Sequence, residues 1–491
     1  MQVKIPENDR RLVQPNNGDL SGNIYATFNV DLATAPGKIR ISPRLRIGAS
    51  SVTSNLGKVG GFAFYRANIG SVDTDRYWAL CDGALFQTTT PTGSWEEETT
   101  SGNPTTSADN SDITTWNNQL IVSTATTIDA RSSTTWSTLK SGLTGPILLE
   151  VGPNNRLYFT TSGSVVGYIT TGGSSSTSGN GTIDLGNDYE ITWLRKSSTR
   201  MWVGTMHKRG GEGVVAEWDL SDNSIEPNAL HPIGATGSWA CAVLNDVPHV
   251  ITSDGRLQTI RGAGGFGEIA RFPSYITRHL LESSTNTGID RPVHHNGMQI
   301  VDGRIRVAIN ATLDTDGDAL LENMASGIWE YDERIGLYHR YSPTLDDDGG
   351  LDWGQSLVSH AGAIFEVKEV TSSMLAGFSV YTDGAINIKH GIFYDDVSGE
   401  KTKRAVITTP WIYSEGVREN WSKLITTFKK FDNSTDAIRL KYRQNKKTHL
   451  PFIASIAWID DETITSDDTN FQYASVGDEV EVIVGSGAGT A

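Results

Sequence analysis

The chain has 491 residues, 37% hydrophobic and 20% charged, with 51 glycines and a formal net charge of -16. Such an acidic composition excludes general nucleic-acid wrapping, which needs basic stripes along the phosphates, and no apolar run approaches the ~18 residues that span a membrane. The two cysteines, Cys81 and Cys241, make neither a disulfide framework nor a zinc spacing and read as buried thiols.

The first residues, MQVKIPENDRRLV, are charged and lack the apolar core of a signal peptide, so the expectation is a soluble protein of a reducing compartment. Residues 1–47 hold seven Lys/Arg against four Asp/Glu. The stretch LSGNIYATFNVDLATAPGKIRISPRLRIG offers two alternating strands around Pro36-Gly37. It reads as an N-terminal arm that either adds a strand to the last repeat unit or docks on a neighbour.

From residue 48 one event recurs: a turn dipeptide or near relative, then an apolar or β-branched run. Examples are CDGALFQT, WNNQLIVS, PNNRLYFT, SSTRMWVG, LNDVPHVIT, VDGRIRVAI and SHAGAIFEV. The residues before these runs are Gly83, Asn118, Asn155, Thr199, Asp246, Gly303 and Gly362, spaced 35 to 59 residues apart with a mean of about 46. Periods of ~40–50 residues with four short strands each are the signature of β-propeller blades. Second hairpins follow at Ser162-Gly163, Gly210-Gly211, Asp254-Gly255 and Asp383-Gly384, dipeptides that tolerate the positive φ of primed turns. Trp95, Trp136, Trp218 and Trp329 close several units and are expected to pack between neighbouring blades. Residues 48–412 therefore read as a propeller of about seven blades. Six or eight remain open, because the repeats are degenerate.

The style changes after TTPWIYSEG. Residues 413–491 read as a small β-sandwich-like assembly module with strands in NWSKLITTFKKF, DAIRLKYR, FIASIAWID and DEVEVIV. Residues 418–450 carry nine Lys/Arg and three Asp/Glu, whereas residues 460–491 carry eight Asp/Glu and no Lys/Arg. A basic side and an acidic side suit head-to-tail contact between copies, which closes into rings. The final strand lacks a following partner, so it is expected either to pair with another subunit or to continue beyond Ala491.

Few residues suggest chemistry. Asp314, Asp316, Asp318 and Glu322 in LDTDGDALLEN alternate along a loop and could converge on Ca²⁺. The EF-hand pattern fails there, since Ala319 and Ala325 stand where it needs Gly and Glu. Asp346, Asp347, Asp348 and Asp352 form a weaker acidic run. His294-His295, read as strand neighbours, would face opposite sides and could not share an ion. GAGGFGE, residues 262–268, reads as a flexible loop. The P-loop, HExxH and GxSxG patterns are all missing, and SSTTW lacks the Asp and Gly of a sialidase Asp-box. No catalytic residue and no cofactor other than Ca²⁺ is expected.

PNNGDLSGNIYATFNVDLATAPGKIRISPRLRIG, the DGRIRVAI-type blades and the trailing AIRLKYR and ASVGDEVEVIVGSGAGT segments together resemble propeller-bearing virion proteins of tailed bacteriophages, such as tail nozzles. The resemblance implies a non-enzymatic structural component of a phage tail, located in the virion and assembled in the host cytoplasm. Its partners would be copies of itself in a ring, six-fold for instance, and other tail proteins, with passing DNA nearby and no membrane insertion. The alternatives are a glycan-binding adhesion protein, which needs exposed aromatics at a propeller mouth, and a glycoside hydrolase, which needs two carboxyls across a sugar bond.

Overall fold

In the computed structural model, residues 26–408 are described apart from 34–39, 44, 51–55, 70–71, 133–134, 223–225, 262–264, 273–291, 314–321, 324–325, 344–357, 369–371, 383–386 and 398–404. Beyond 408 the description covers the strands 424–427, 436–443, 457–458, 463–466 and 479–486. All regular elements among these residues are strands.

Seven small antiparallel sheets form a seven-bladed β-propeller. From inner to outer strand, blade 1 is Val59–Ile69, Val72–Cys81, Leu85–Thr88 and Glu96–Glu97. Blade 2 is Ile113–Trp116, Gln119–Ser123, Thr127–Ser132 and Thr135–Ser141. Blade 3 is Leu149–Val151, Leu157–Thr161 and Val165–Ile169, with Ser175–Ser176 and Ile183–Asp184 both pairing its third strand. Blade 4 is Tyr189–Lys196, Met201–His207, Val214–Trp218 and Ala229–Pro232. Blade 5 is Ser238–Leu244, Val247–Thr252, Arg256–Ile260 and Phe266–Arg271. Blade 6 is Met298–Val301, Arg304–Ile309, Gly327–Asp332 and Gly336–Tyr341, with a two-stranded insertion, Thr312–Leu313 and Glu322–Asn323, between its second and third strands. Blade 7 is Val358–Glu366, Met374–Thr382 and Asn387–Asp395, and its outer strand is Leu45–Ser50 from the N-terminal arm. The arm thus closes the ring, the first of the two roles its sequence suggested.

Seven apolar clusters map onto the seven blade interfaces. Trp78, Leu80 and Leu85 of blade 1 meet Leu120 and Val122 of blade 2. The series continues around the disc to Ala363 and Leu375 of blade 7 against Phe62 and Phe86 of blade 1. Each fully buried large apolar side chain adds roughly 1.5–3 kcal/mol, and the closed series leaves no blade without two neighbours. Trp218 and Trp329 pack as expected, edge-on to Tyr158 and Phe272 of the preceding units at 5.3 and 5.4 Å. They sit on third strands, however, not at the end of the unit.

Five of the seven turn signals mark the hairpin between first and second strands. Asn117-Asn118, Asn245-Asp246 and Asp302-Gly303 have positive φ at both positions (52° and 55°, 51° and 67°, 51° and 72°), as a type I′ hairpin requires. Gly83 instead turns between the second and third strands of blade 1, and Gly362 lies inside the inner strand of blade 7. A Cβ on Gly362 would stand 1.9 Å from the Val59 carbonyl oxygen. This glycine therefore serves the close approach of blade 7 to blade 1.

The C-terminal strand does not await another subunit. Glu479–Ser486 pairs on one side with Asp436–Arg443 and on the other with Ala405–Thr408, whose far edge takes Ala26–Phe28. This sheet thus joins an N-terminal strand to three C-terminal ones, and it gives Glu479–Ser486 partners on both edges without a sequence-adjacent strand. Leu424–Thr427, Thr463–Ser466 and Ala457–Trp458 form a further three-stranded sheet.

Candidate functional site at the ring axis

The inner strands converge on the axis, where blades 2, 3, 4 and 6 each present a polar or charged side chain. Asp112 stands just before the inner strand of blade 2. Its Oδ1 accepts from the Ile113 N–H and from Asn296 Nδ2, both at 2.8 Å, and its Oδ2 accepts from the Leu149 N–H of blade 3 at 2.9 Å. His295 Nε2 lies 3.8 Å from Oδ2. Burial pushes the Asp112 carboxyl up, but His295, Leu149 and Asn296 outweigh it and hold the group below its ordinary range.

Asn296, in the turn that leads into blade 6, is the hub. Its Nδ2 also reaches the Gly60 carbonyl of blade 1 at 3.3 Å, and its backbone carbonyl accepts from the Ile364 N–H of blade 7 at 2.8 Å. Its Oδ1 accepts from Arg195 Nη2 of blade 4 at 3.0 Å. The Arg195 guanidinium also donates to the carbonyls of His295 at 2.8 Å and of Cys241, in blade 5, at 3.1 Å. Blades 2 and 6 lie nearly opposite in a seven-membered ring, so the Asp112–Asn296 bond crosses the axis. Every blade is tied into this one network.

His294 and His295 are not strand neighbours on opposite faces. They occupy the same turn, both buried, with ring centroids 4.0 Å apart, and His294 Nε2 meets the Ala108 carbonyl at 2.9 Å. His360 of blade 7 stands edge-on to His294 at 6.0 Å. Glu150, on the inner strand of blade 3, is partly exposed. Burial raises its carboxyl to about 7 against the opposing pull of Arg195 and Lys196, with Asp112 adding to the rise. It can exchange a proton at neutral pH.

A second charged cluster lies between blades 6 and 7. Arg306 bonds Glu330 at 2.9 Å and approaches Asp395 at 3.5 Å; Arg340 bonds Glu330 at 2.9 Å and Asp31 of the N-terminal arm at 3.1 Å. Tyr338 donates to Glu330. Asp395 also accepts from the Ser373 and Met374 N–H groups, each at 2.8 Å. Despite burial, Arg340 and Arg306 hold Glu330 below its ordinary range.

Asp314, Asp316 and Asp318 lie outside the described residues. So does the side chain of Glu322, whose backbone belongs to the insertion in blade 6. Asp346, Asp347, Asp348 and Asp352 also lie outside them. Among the described residues no three His, Cys, Asp or Glu side chains group as metal ligands. The axial residues were passed over in the sequence, although a signal existed: Glu150 in ILLEV and Arg195 in TWLRK each interrupt an apolar inner strand. Aligning the blades would have stacked these charges at the axis.

No family model matches the chain, and no curated protein does. Among solved structures, the chain is similar to BBS1N in complex with ARL6DN at 10% identity, covering 74% of this chain and 100% of that one with a TM-score of 0.43. It is similar to a chain of the Mitotic Checkpoint Complex at 12% identity, with coverages of 79% and 96% and a TM-score of 0.40. It is also similar to the computationally designed Ika8 protein at 12% identity, with coverages of 68% and 96% and a TM-score of 0.39.

Proposed function

We propose that the chain is a non-enzymatic structural component of a phage tail, of nozzle, ring or hub type, which assembles as copies around or at the end of the tail conduit and docks other tail proteins. The observation that carries this reading is the cross-linked axis. In a propeller that works on a ligand, convergent axial groups are where the ligand is held. Here Asn296 bonds both Asp112 and Arg195, and the three residues together reach every blade, which suits a stiff disc serving as scaffold. A conduit would then run between copies and not through the disc. The acidic body, with 22 Lys/Arg against 41 Asp/Glu in residues 48–400, would keep passing DNA from adhering.

The adhesion alternative has less behind it. It calls for exposed aromatics, whereas eight of the nine Trp side chains described are buried, and Phe64 is the one aromatic among the exposed large hydrophobics of the described residues. A hydrolase needs two free carboxyls, and Asp112 already accepts three hydrogen bonds. Cryo-EM reconstruction of the virion, with light scattering of the purified protein, tests the reading. Ordered copies in a ring are expected; a monomer with no ordered copies in the particle overturns it. A glycan array and a turnover assay on host polysaccharide test the alternatives.

A further inference from the structure

The chain contains the Asn-Gly pairs Asn17-Gly18, Asn180-Gly181 and Asn296-Gly297. The first lies outside the described residues. An asparagine followed by glycine can react with its own backbone. The glycine nitrogen attacks the asparagine Cγ, ammonia leaves, and water opens the resulting succinimide to aspartate or isoaspartate. Glycine favours the step because no Cβ keeps the two atoms apart, and the rate depends on whether the surrounding structure lets them meet. The two described pairs differ in this respect.

Asn180 is exposed, in the loop that joins Ser175–Ser176 to Ile183–Asp184 at the outer edge of blade 3. The loop is held by Thr182, whose N–H and hydroxyl donate to the Gly179 carbonyl at 3.3 and 2.6 Å. Those bonds leave the reacting atoms alone. Among the described residues, neither the Asn180 side chain nor the Gly181 N–H makes a hydrogen bond.

Asn296-Gly297 is the reverse case. Asn296 Nδ2 donates to Asp112 and to the Gly60 carbonyl, and its Oδ1 accepts from Arg195. The attacking nitrogen is occupied as well, since the Gly297 N–H donates to the His294 carbonyl at 2.8 Å. A Cβ on Gly297 would stand 3.0 Å from that carbonyl oxygen and 3.1 Å from the Gly362 carbonyl oxygen, so the backbone has little room to swing. Cyclisation here requires the axial hydrogen bonds to open first.

We propose that Asn180 is a site of spontaneous covalent modification in the folded protein, converting through a succinimide to aspartate and isoaspartate, and that the axial network preserves Asn296 as an amide. The same chemistry has unequal consequences at the two places. At position 180 it adds a carboxyl on the outer edge of blade 3, near Asp222 and Arg156: a Cβ on Gly181 would stand 3.2 Å from Asp222 Oδ1 and 3.8 Å from Arg156 Nη1. At position 296 it would replace the donor to Asp112 with an oxygen and set one carboxylate against another at the hub.

A time course on the intact chain at mildly alkaline pH, folded and in guanidinium chloride, tests this. Digestion in weak acid and peptide mapping by mass spectrometry locate the change, and an isoaspartyl methyltransferase labels the isoaspartate. The folded protein should convert at Asn180, with Asn296 slower by about tenfold or more, and the difference should vanish in denaturant. Asn180→Gln should abolish the change in its peptide and leave the melting curve unaltered, because the longer side chain cyclises far more slowly. No conversion at Asn180 in the folded protein overturns the site, as does a signal that persists in Asn180→Gln. Equal conversion at Asn180 and Asn296 in the folded protein overturns the axial protection.

Discussion

The axial network and the cluster between blades 6 and 7 both bury charge, and they hold it differently. At the axis, one carboxylate and one guanidinium are bridged by a neutral amide, and most of their partners are carbonyls and N–H groups from distant blades. Between blades 6 and 7, Arg306 and Arg340 face Glu330, Asp395 and Asp31 directly, with Tyr338 and Tyr341 filling the remaining space. The first arrangement fastens seven blades at one point. The second fastens two blades and pins the N-terminal arm beside the strand that closes the ring. Ring closure is therefore secured at the centre by shared hydrogen bonds and at the seam side by paired ions.

Breaking the ion cluster should cost most. Glu330→Ala leaves Arg306 and Arg340 buried without their shared carboxylate, and a loss of about 3–5 kcal/mol is expected in urea unfolding. A loss under about 1 kcal/mol would mean that Asp395 and Asp31 suffice. At the axis, Asn296→Ala removes one side chain from Asp112, Gly60 and Arg195 together. The expected loss is about 1–3 kcal/mol, and a double-mutant cycle with Arg195→Met should show coupling of about 0.5–3 kcal/mol. Strict additivity would dissolve the idea of one axial network.

The third prediction concerns pH. The Glu150 carboxyl, raised from 4.5 to about 7, favours the folded state below its unfolded value, and that contribution disappears as pH rises through 7. Glu150→Gln should therefore stabilise the protein at pH 8 relative to pH 5 by about 1–3 kcal/mol, trimmed by the partial exposure of the carboxyl. His339 works in the opposite sense. Burial lowers it from 6.5 to about 4, so its contribution is present above 6.5 and declines as pH falls toward 4. Melting curves of Glu150→Gln and wild type across pH 4–8 separate the two, and parallel curves would refute the assignment for Glu150. The smallest effect is expected at the cysteines. Burial pushes Cys81 far up and Cys241 to about 12, so a thiol reagent should label neither in the folded protein and both in urea.

Much of the ring was legible because local rules wrote it. Asn117-Asn118, Asn245-Asp246 and Asp302-Gly303 adopt positive φ at both residues, a demand that few other dipeptides meet. Gly83 and Gly362 misled because glycine answers two needs, a turn and a close approach. The C-terminal strands were legible one by one, with Asp436–Arg443 matching its sequence segment. Their order was not, since Glu479–Ser486 lies between strands that begin 43 and 74 residues earlier in the chain. The axial network was illegible for the same reason: Asn296 and Asp112 are 184 residues apart, and Arg195 is 101 from Asn296.

By itself, the order of amino acids determined the strand period, the primed turns, a repeat of about seven units and the supply of a spare N-terminal strand, because each depends on φ, on side-chain alternation or on a few adjacent residues. Only the tertiary structure decided which strand closes the seventh blade, where the last strand pairs, and that Asp112, Arg195 and Asn296 meet. Those outcomes depend on curvature accumulated over a whole ring. A charge on an inner strand acquires its partners only when the seventh blade returns to the first.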